Sequence, residues 1–141
     1  MKKVAVIYWS DTGNVEAIAD KIYNGAKDAG ADTIIKLVQD AKIEDVINSD
    51  AVAFGSPSMD NNQIEQDEME PFIKEFKNLP NNKKPIILFG SYGWDNGEFL
   101  KKWKDTMTDY GFNVISQLAV KEAPTDAQLK EAYELGKILS R

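Results

Sequence analysis

The chain contains no cysteine and no histidine. Without cysteine there is no thiolate nucleophile, no disulfide, no iron–sulfur cluster and no structural zinc of the usual type. Without histidine the commonest general base and the commonest metal ligand are missing. Ser-His-Asp and Cys-His mechanisms are therefore excluded, and difficult chemistry falls to a cofactor or to carboxylates. Long apolar runs are lacking too. The longest, Val4–Trp9, is far shorter than the roughly 20 residues that a membrane-spanning helix needs. Lys2 and Lys3 precede that run as they would in a signal peptide, but Ser10-Asp11-Thr12 breaks it too early. The sequence thus predicts a cytoplasmic protein, neither exported nor bound to a membrane.

What is present suits one domain spanning residues 1–141, with 43% hydrophobic residues to build its core. Seventeen basic residues against 23 acidic ones give a net charge of −6. An acidic surface disfavours nucleic acid, whose binding rests on Lys and Arg neutralising phosphates, and disfavours anionic lipid equally. It favours a basic protein partner, whose association it accelerates by electrostatic steering. The same charge also serves solubility alone.

Two kinds of segment alternate along the chain. Val4-Ala5-Val6-Ile7-Tyr8 is a continuous apolar run, as in a strand buried on both faces. Over 14–29, Val15, Ile18, Ala19, Ile22, Tyr23 and Ala26 recur at helical spacing, and Gly30 is a stop signal. Residues 33–38 read as a half-exposed strand, and 43–47 as a short helix capped by Asp40 or a neighbour. Residues 51–54 form a second buried run. Phe72, Ile73 and Phe76 share a helical face over 70–79, which Pro80 ends. Strand 85–89, helix 99–110, strand 113–120 and helix 125–139 follow, the last with Thr125 or Asp126 as N-cap. This alternation predicts a three-layer α/β domain: a doubly wound, five-stranded parallel sheet of order 2-1-3-4-5 with helices on both faces.

Ser10-Asp11-Thr12-Gly13-Asn14 lies between the first strand and the first helix and holds no Lys or Arg. A loop entering a helix presents unpaired N–H groups and the positive end of the helix dipole, which together make an anion site. The same residue types also make ordinary helix caps. Gly55-Ser56-Pro57-Ser58-Met59-Asp60-Asn61-Asn62 follows the third strand, and Gly90-Ser91-Tyr92-Gly93-Trp94-Asp95-Asn96-Gly97 follows the fourth. In a parallel sheet both leave at the edge where the first loop leaves. Met59 and Trp94 are large apolar residues in polar, glycine-rich loops. A flat heteroaromatic ligand would explain them, with Trp94 stacked on one face and Met59 on the other. Alternatively, Trp94 caps the edge of the core.

These motifs carry a resemblance to the short-chain bacterial flavodoxins. The segment 10–15 is similar to that family's phosphate loop, Ser/Thr-X-Thr-Gly-Asn-Thr, matching at Ser10, Thr12, Gly13 and Asn14 and departing at Asp11 and Val15. Gly90-Ser91-Tyr92-Gly93-Trp94 resembles the family's second flavin loop, and Glu68-Met69-Glu70-Pro71-Phe72 its acidic segment. The strand order above is one for which flavodoxin is itself a standard example, with FMN at the switch between strands 1 and 3, so the fold alone does not derive the site. The resemblance implies non-covalently bound FMN. Ser10, Asp11, Thr12, Gly13, Asn14 and Val15 would surround its phosphate, Val15 through its amide alone. Ser56, Pro57, Ser58, Met59, Asp60, Asn61, Asn62, Ser91, Tyr92, Gly93 and Trp94 would surround its ring.

The first flavin loop departs from the family's Met-Gly-Asp-Glu. Asn62 replaces the Glu that faces flavin N3–H, removing one negative charge but keeping an acceptor. Asp60 replaces the Gly whose following peptide turns over during reduction, making that turn costlier. The implied function is low-potential one-electron transfer between redox enzymes by a monomer, with no substrate turnover of its own. The acidic residues Asp60, Glu65, Asp67, Glu68, Glu70 and Asp95 would crowd the ring edge. There each would raise the energy of an anionic reduced flavin by roughly 1 kcal/mol at ~8 Å, and they would dock basic reductases. Three rivals remain, of which a flavin-dependent quinone reductase usually needs a longer chain and an oligomer. A phosphoryl-accepting receiver domain needs an Asp at the end of strand 3, where this chain has Gly55-Ser56-Pro57. A binding module with weak or lost FMN binding would suit Asp11, Val15 and Asp60.

Overall fold

The computed structural model describes residues 1–59, 61–94 and 96–141. Its strands are β1 (Lys3–Tyr8), β2 (Asp32–Leu37), β3 (Ala51–Gly55), β4 (Pro85–Tyr92) and β5 (Asn113–Lys121). Its helices are α1 (Asn14–Asp28), α2 (Ile43–Ile47), α3 (Met69–Lys74), α4 (Glu98–Asp109) and α5 (Asp126–Leu139). The strands form one parallel sheet in the order β2-β1-β3-β4-β5, as the alternation of segments predicts.

Continuous apolar runs work here because strand side chains alternate between two covered faces. Ala5 and Ile7 of β1, Val52 and Phe54 of β3, and Ile86 and Leu88 of β4 join one core with α3 and α4. Val4, Val6 and Tyr8, Ala51 and Ala53, and Ile87 and Phe89 join the other with α1 and α5. The cores bury Trp103 and Phe76 on the first side, and Ile18, Ile22 and Leu135 on the second. On the second side α1 and α5 touch backbone to backbone. A Cβ on Gly25 would come within 1.9 Å of Tyr133 O, and one on Gly136 within 2.0 Å of Ile22 O.

Three local expectations need correction. The helix expected over 70–79 is α-helical only through Lys74 and tightens to a 3₁₀ turn at Glu75–Asn78. Residues 38–40 form a 3₁₀ turn rather than a strand end or a cap. The first turn of α2 is held instead by Asp45, whose carboxylate accepts from the Lys42 N–H at 2.8 Å and from Lys36 Nζ at 3.0 Å. Strand β4 runs three residues past Phe89, because Gly90, Ser91 and Tyr92 still pair with Ala119, Val120 and Lys121 of β5.

Candidate cofactor site

The loops after β1, β3 and β4 all leave the carboxyl edge of the sheet, and β1 has neighbours on both sides. That is the topological switch at which open α/β sheets bind ligands. The first of these loops enters α1 through Gly13, which has φ 92° and ψ −8°, a left-handed conformation that disfavours any side chain. Among the described residues no side chain caps this helix. Ser10 Oγ accepts instead from the Gly13 N–H at 3.2 Å, and the helical ladder starts with Ala17 N–H to Gly13 O at 3.0 Å. The capping role open to Ser10, Thr12 and Asn14 is therefore not taken, and the first-turn amides keep the positive end of the helix dipole. Asp11 and Thr12 are exposed beside them. Val15 is only 2% exposed and packs in the core with Val4 and Ile18, leaving its amide alone for the loop. Beneath the loop, burial raises the Tyr8 phenol above its ordinary range, helped by the charges of Glu16 and Asp20 and a hydrogen bond to Glu16. Burial and then Glu16 raise the Asp20 carboxyl likewise.

The second loop is anchored from below. Ser56 is fully buried; its hydroxyl donates to Pro57 O at 2.9 Å and accepts from the Glu65 N–H at 2.9 Å. Glu65, 3% exposed, accepts through its carboxylate from the N–H groups of Asp67, Glu68 and Met69, each at 2.8 Å. The Ser58 N–H donates to Ser91 O at 2.8 Å, which joins the second loop to the third. The Ser91 hydroxyl donates to Glu122 O at 2.7 Å, and the Glu122 N–H donates to Tyr92 O at 2.7 Å. Gly90 is bare of necessity: a Cβ there would lie 2.0 Å from Ser56 O.

Above this framework Met59 and Trp94, 38% and 99% exposed, line one cleft of about 620 Å³ with Ser58, Asn61, Asn62 and Gly93. Trp94 does not cap the core. The turn beside Met59 is closed by Met59 N–H to Gln63 O at 2.7 Å and Asn62 N–H to Met59 O at 3.2 Å. Asn61 and Asn62 both lie in the left-handed region, at φ 64° and 56°. Lys102, reaching across from α4, donates through Nζ to Asn61 O at 3.2 Å. Sequence reasoning missed this tether, because nothing in the local pattern links positions 41 residues apart. The sequence-predicted residues thus separate into a phosphate-type loop (Ser10–Val15), a buried support (Ser56, Ser91) and the cleft walls (Ser58, Met59, Asn61, Asn62, Gly93, Trp94). Pro57 and Tyr92 are half-buried between support and cleft.

Among the described residues the expected acidic rim divides between two cavities. Glu65, a buried structural acceptor, also lines the cleft, and Glu70 lines a second cavity between α3 and α4. Asp67 lines the cleft, while Asp67 and Glu68 are both exposed. Asp60 and Asp95, including the redox role expected of Asp60, lie outside the described residues.

Fold and site together define a class: an α/β protein with an amide-and-hydroxyl anion cradle beside an open, aromatic-walled slot. That donor set fits FMN, since a cradle without cationic side chains suits a phosphate and an exposed indole sharing a cleft with a thioether suits a flat ring. The flavodoxin family profile matches residues 6–136. The flavodoxin of Megasphaera elsdenii is 38% identical over 138 residues, covering 98% of both chains. That of Clostridium beijerinckii is 35% identical over 94% of this chain and 95% of its own. The solution structure of two-electron reduced M. elsdenii flavodoxin superposes with a TM-score of 0.85 at 37% identity, over 97% of this chain and 98% of its own. The chain belongs to the flavodoxin family: it is an FMN-binding carrier of electrons to redox enzymes, not a substrate-converting enzyme. Among the described residues no helix is long and apolar enough to cross a membrane.

Proposed function

We propose that residues 1–141 act as one domain, a cytoplasmic monomer, whose three loops hold FMN and present it to basic redox partners for low-potential, one-electron exchange. Bound FMN supplies the redox chemistry, accepting and releasing electrons one at a time. Ser10, Thr12 and Asn14 donate to its phosphate along with the first-turn amides of α1, and the neutral Tyr8 adds no charge beneath them. Asp11 turns its carboxylate to solvent. Met59 and Trp94 shield the two faces of the ring from water, while Ser58, Asn61, Asn62 and Gly93 line its polar edge. Pro57 and Tyr92 shape the rim, Ser56 and Ser91 hold the two loops at fixed separation, and Asp60 belongs to the same turn by its place in the chain.

A single observation carries this reading. Trp94 is almost wholly exposed on the wall of a cleft, where an unliganded protein gains nothing from an indole. Titration of apoprotein with FMN tests it, followed by quenching of flavin fluorescence. Trp94→Ala is expected to weaken FMN binding at least tenfold, the loss of roughly 1.4 kcal/mol or more of stacking, and to leave the fold intact. Unfolding with unchanged affinity per folded molecule would show that Trp94 is structural, and unchanged affinity with an intact fold would show that it does not stack on the ring. The acidic docking face is tested by the ionic-strength dependence of electron-transfer rates with a basic reductase, which should fall steeply with added salt.

A further inference from the structure

We propose that Lys102 is a positioning residue for the first flavin loop: its ammonium, tied to Asn61 O, holds the strained turn and sets a positive charge behind the cleft wall. The inference rests on the assignment of that cleft to FMN.

Consecutive left-handed conformations at Asn61 and Asn62 are unfavourable for residues with side chains, and such turns persist only where their surroundings over-determine them. Two of the bonds that hold this turn, Met59 to Gln63 and Asn62 to Met59, lie within it. The Lys102 bond comes from outside, from a helix that follows the third loop. Packing does little to help. Between the segment at Gln63 and Gln66 and the face of α4 at Lys102 and Thr106 lies a cavity of about 290 Å³, so the turn has room to sag towards the helix. Lys102 spans that gap as a strut.

Its charge matters because of where it is held. Asn61 lines the cleft, and Asn61 and Asn62 are neutral. Glu65 and Asp67 line the same cleft, and Lys102, from the neighbouring cavity, holds a cation against the turn from behind. A cation there lowers the energy of an anionic reduced ring more than that of a neutral oxidised one. A strut that merely supported the fold would weaken both redox states of the cofactor alike and leave the potential unchanged.

Lys102 is exposed on α4, so its replacement should not unfold the domain. The test compares Lys102→Met with the parent in two measurements. In the apoprotein, hydrogen exchange of the Asn62 amide is expected to quicken at least about fivefold as the turn loosens. In the flavin-loaded protein, the affinity for reduced FMN should fall about threefold more than that for oxidised FMN. That ratio lowers the two-electron potential between these states by about 14 mV. Both changes together support the proposal. If Asn62 exchange is unaltered the strut does not hold the turn, and if the potential is unaltered the charge does not reach the cofactor; either result overturns it. Because the exchange measurement uses apoprotein, its failure is distinct from failure of the FMN assignment, which the Trp94 titration decides.

Discussion

The loop at Ser10–Asn14 and the segment from Ser56 to Met69 leave the same edge of the same sheet, yet they are held in opposite ways. The second is fastened by a buried carboxylate that takes three amides, by a buried hydroxyl beneath it and by a bond to the neighbouring loop. Among the described residues the first is fastened by one side-chain bond, Gly13 N–H to Ser10 Oγ, and enters its helix without a side-chain cap. The difference separates two tasks. Polar groups that shape a slot must be satisfied by the protein, whereas polar groups meant for a ligand must be left for it.

The contrast can be broken most forcefully at Glu65. Glu65→Ala strands three amides and is expected to cost about 3 kcal/mol of apoprotein stability in urea unfolding. A loss under about 1 kcal/mol would show that the segment does not depend on this carboxylate. Removing FMN probes the other loop. At a free FMN concentration 100 times Kd, holoprotein should exceed apoprotein by about 2.7 kcal/mol, with the Asn14–Glu16 amides protected from exchange only when FMN is present. Thr12→Ala sharpens the same point: FMN affinity should drop by about 1.5–3 kcal/mol, and apoprotein stability should stay within about 0.5 kcal/mol. Fluorescence titration and urea melts on one preparation read both quantities.

The smallest effect is a control away from either loop. Burial pushes the Asp45 carboxyl up, but the Lys42 N–H and the Lys36 ammonium outweigh it, so its pKa lies below the usual carboxylate range. A depressed folded-state pKa gives stability that is present above the unfolded value, near ~3.9, and is lost as pH falls through the folded one. Asp45→Asn should remove about 1 kcal/mol at neutral pH and flatten the acid limb of the stability curve. FMN affinity should not change.

Much of this was legible in the chain itself. Alternation of apolar runs and helical stripes sets the sheet order, since short parallel crossovers leave few alternatives. Ser10-Asp11-Thr12-Gly13-Asn14 stands where the first helix starts, and Met59 and Trp94 face the same cleft. The misses share a cause. The extension of β4 to Tyr92 depends on pairing with β5, and the 3₁₀ turn after Lys74 depends on the packing of Phe76 against Phe72 and Phe112. Glu65 reads as one more surface acid in a run of acids until the fold buries it. Val15 reads as a lost phosphate donor, but its side chain faces the core, so Val15→Thr would bury a hydroxyl there. Tertiary contact made each of these decisions, and local pattern carries no record of it.

The bare crossing of α1 and α5 has a further consequence, for the order in which the molecule is assembled. Gly25 and Gly136 let these helices meet at backbone distance, so α5 sets how α1 lies and with it the direction in which the first-turn amides point. The proposed phosphate cradle is synthesised before α5, but its orientation waits for that helix. A nascent chain that has not yet released α5 carries every residue of the cradle and still lacks its aim.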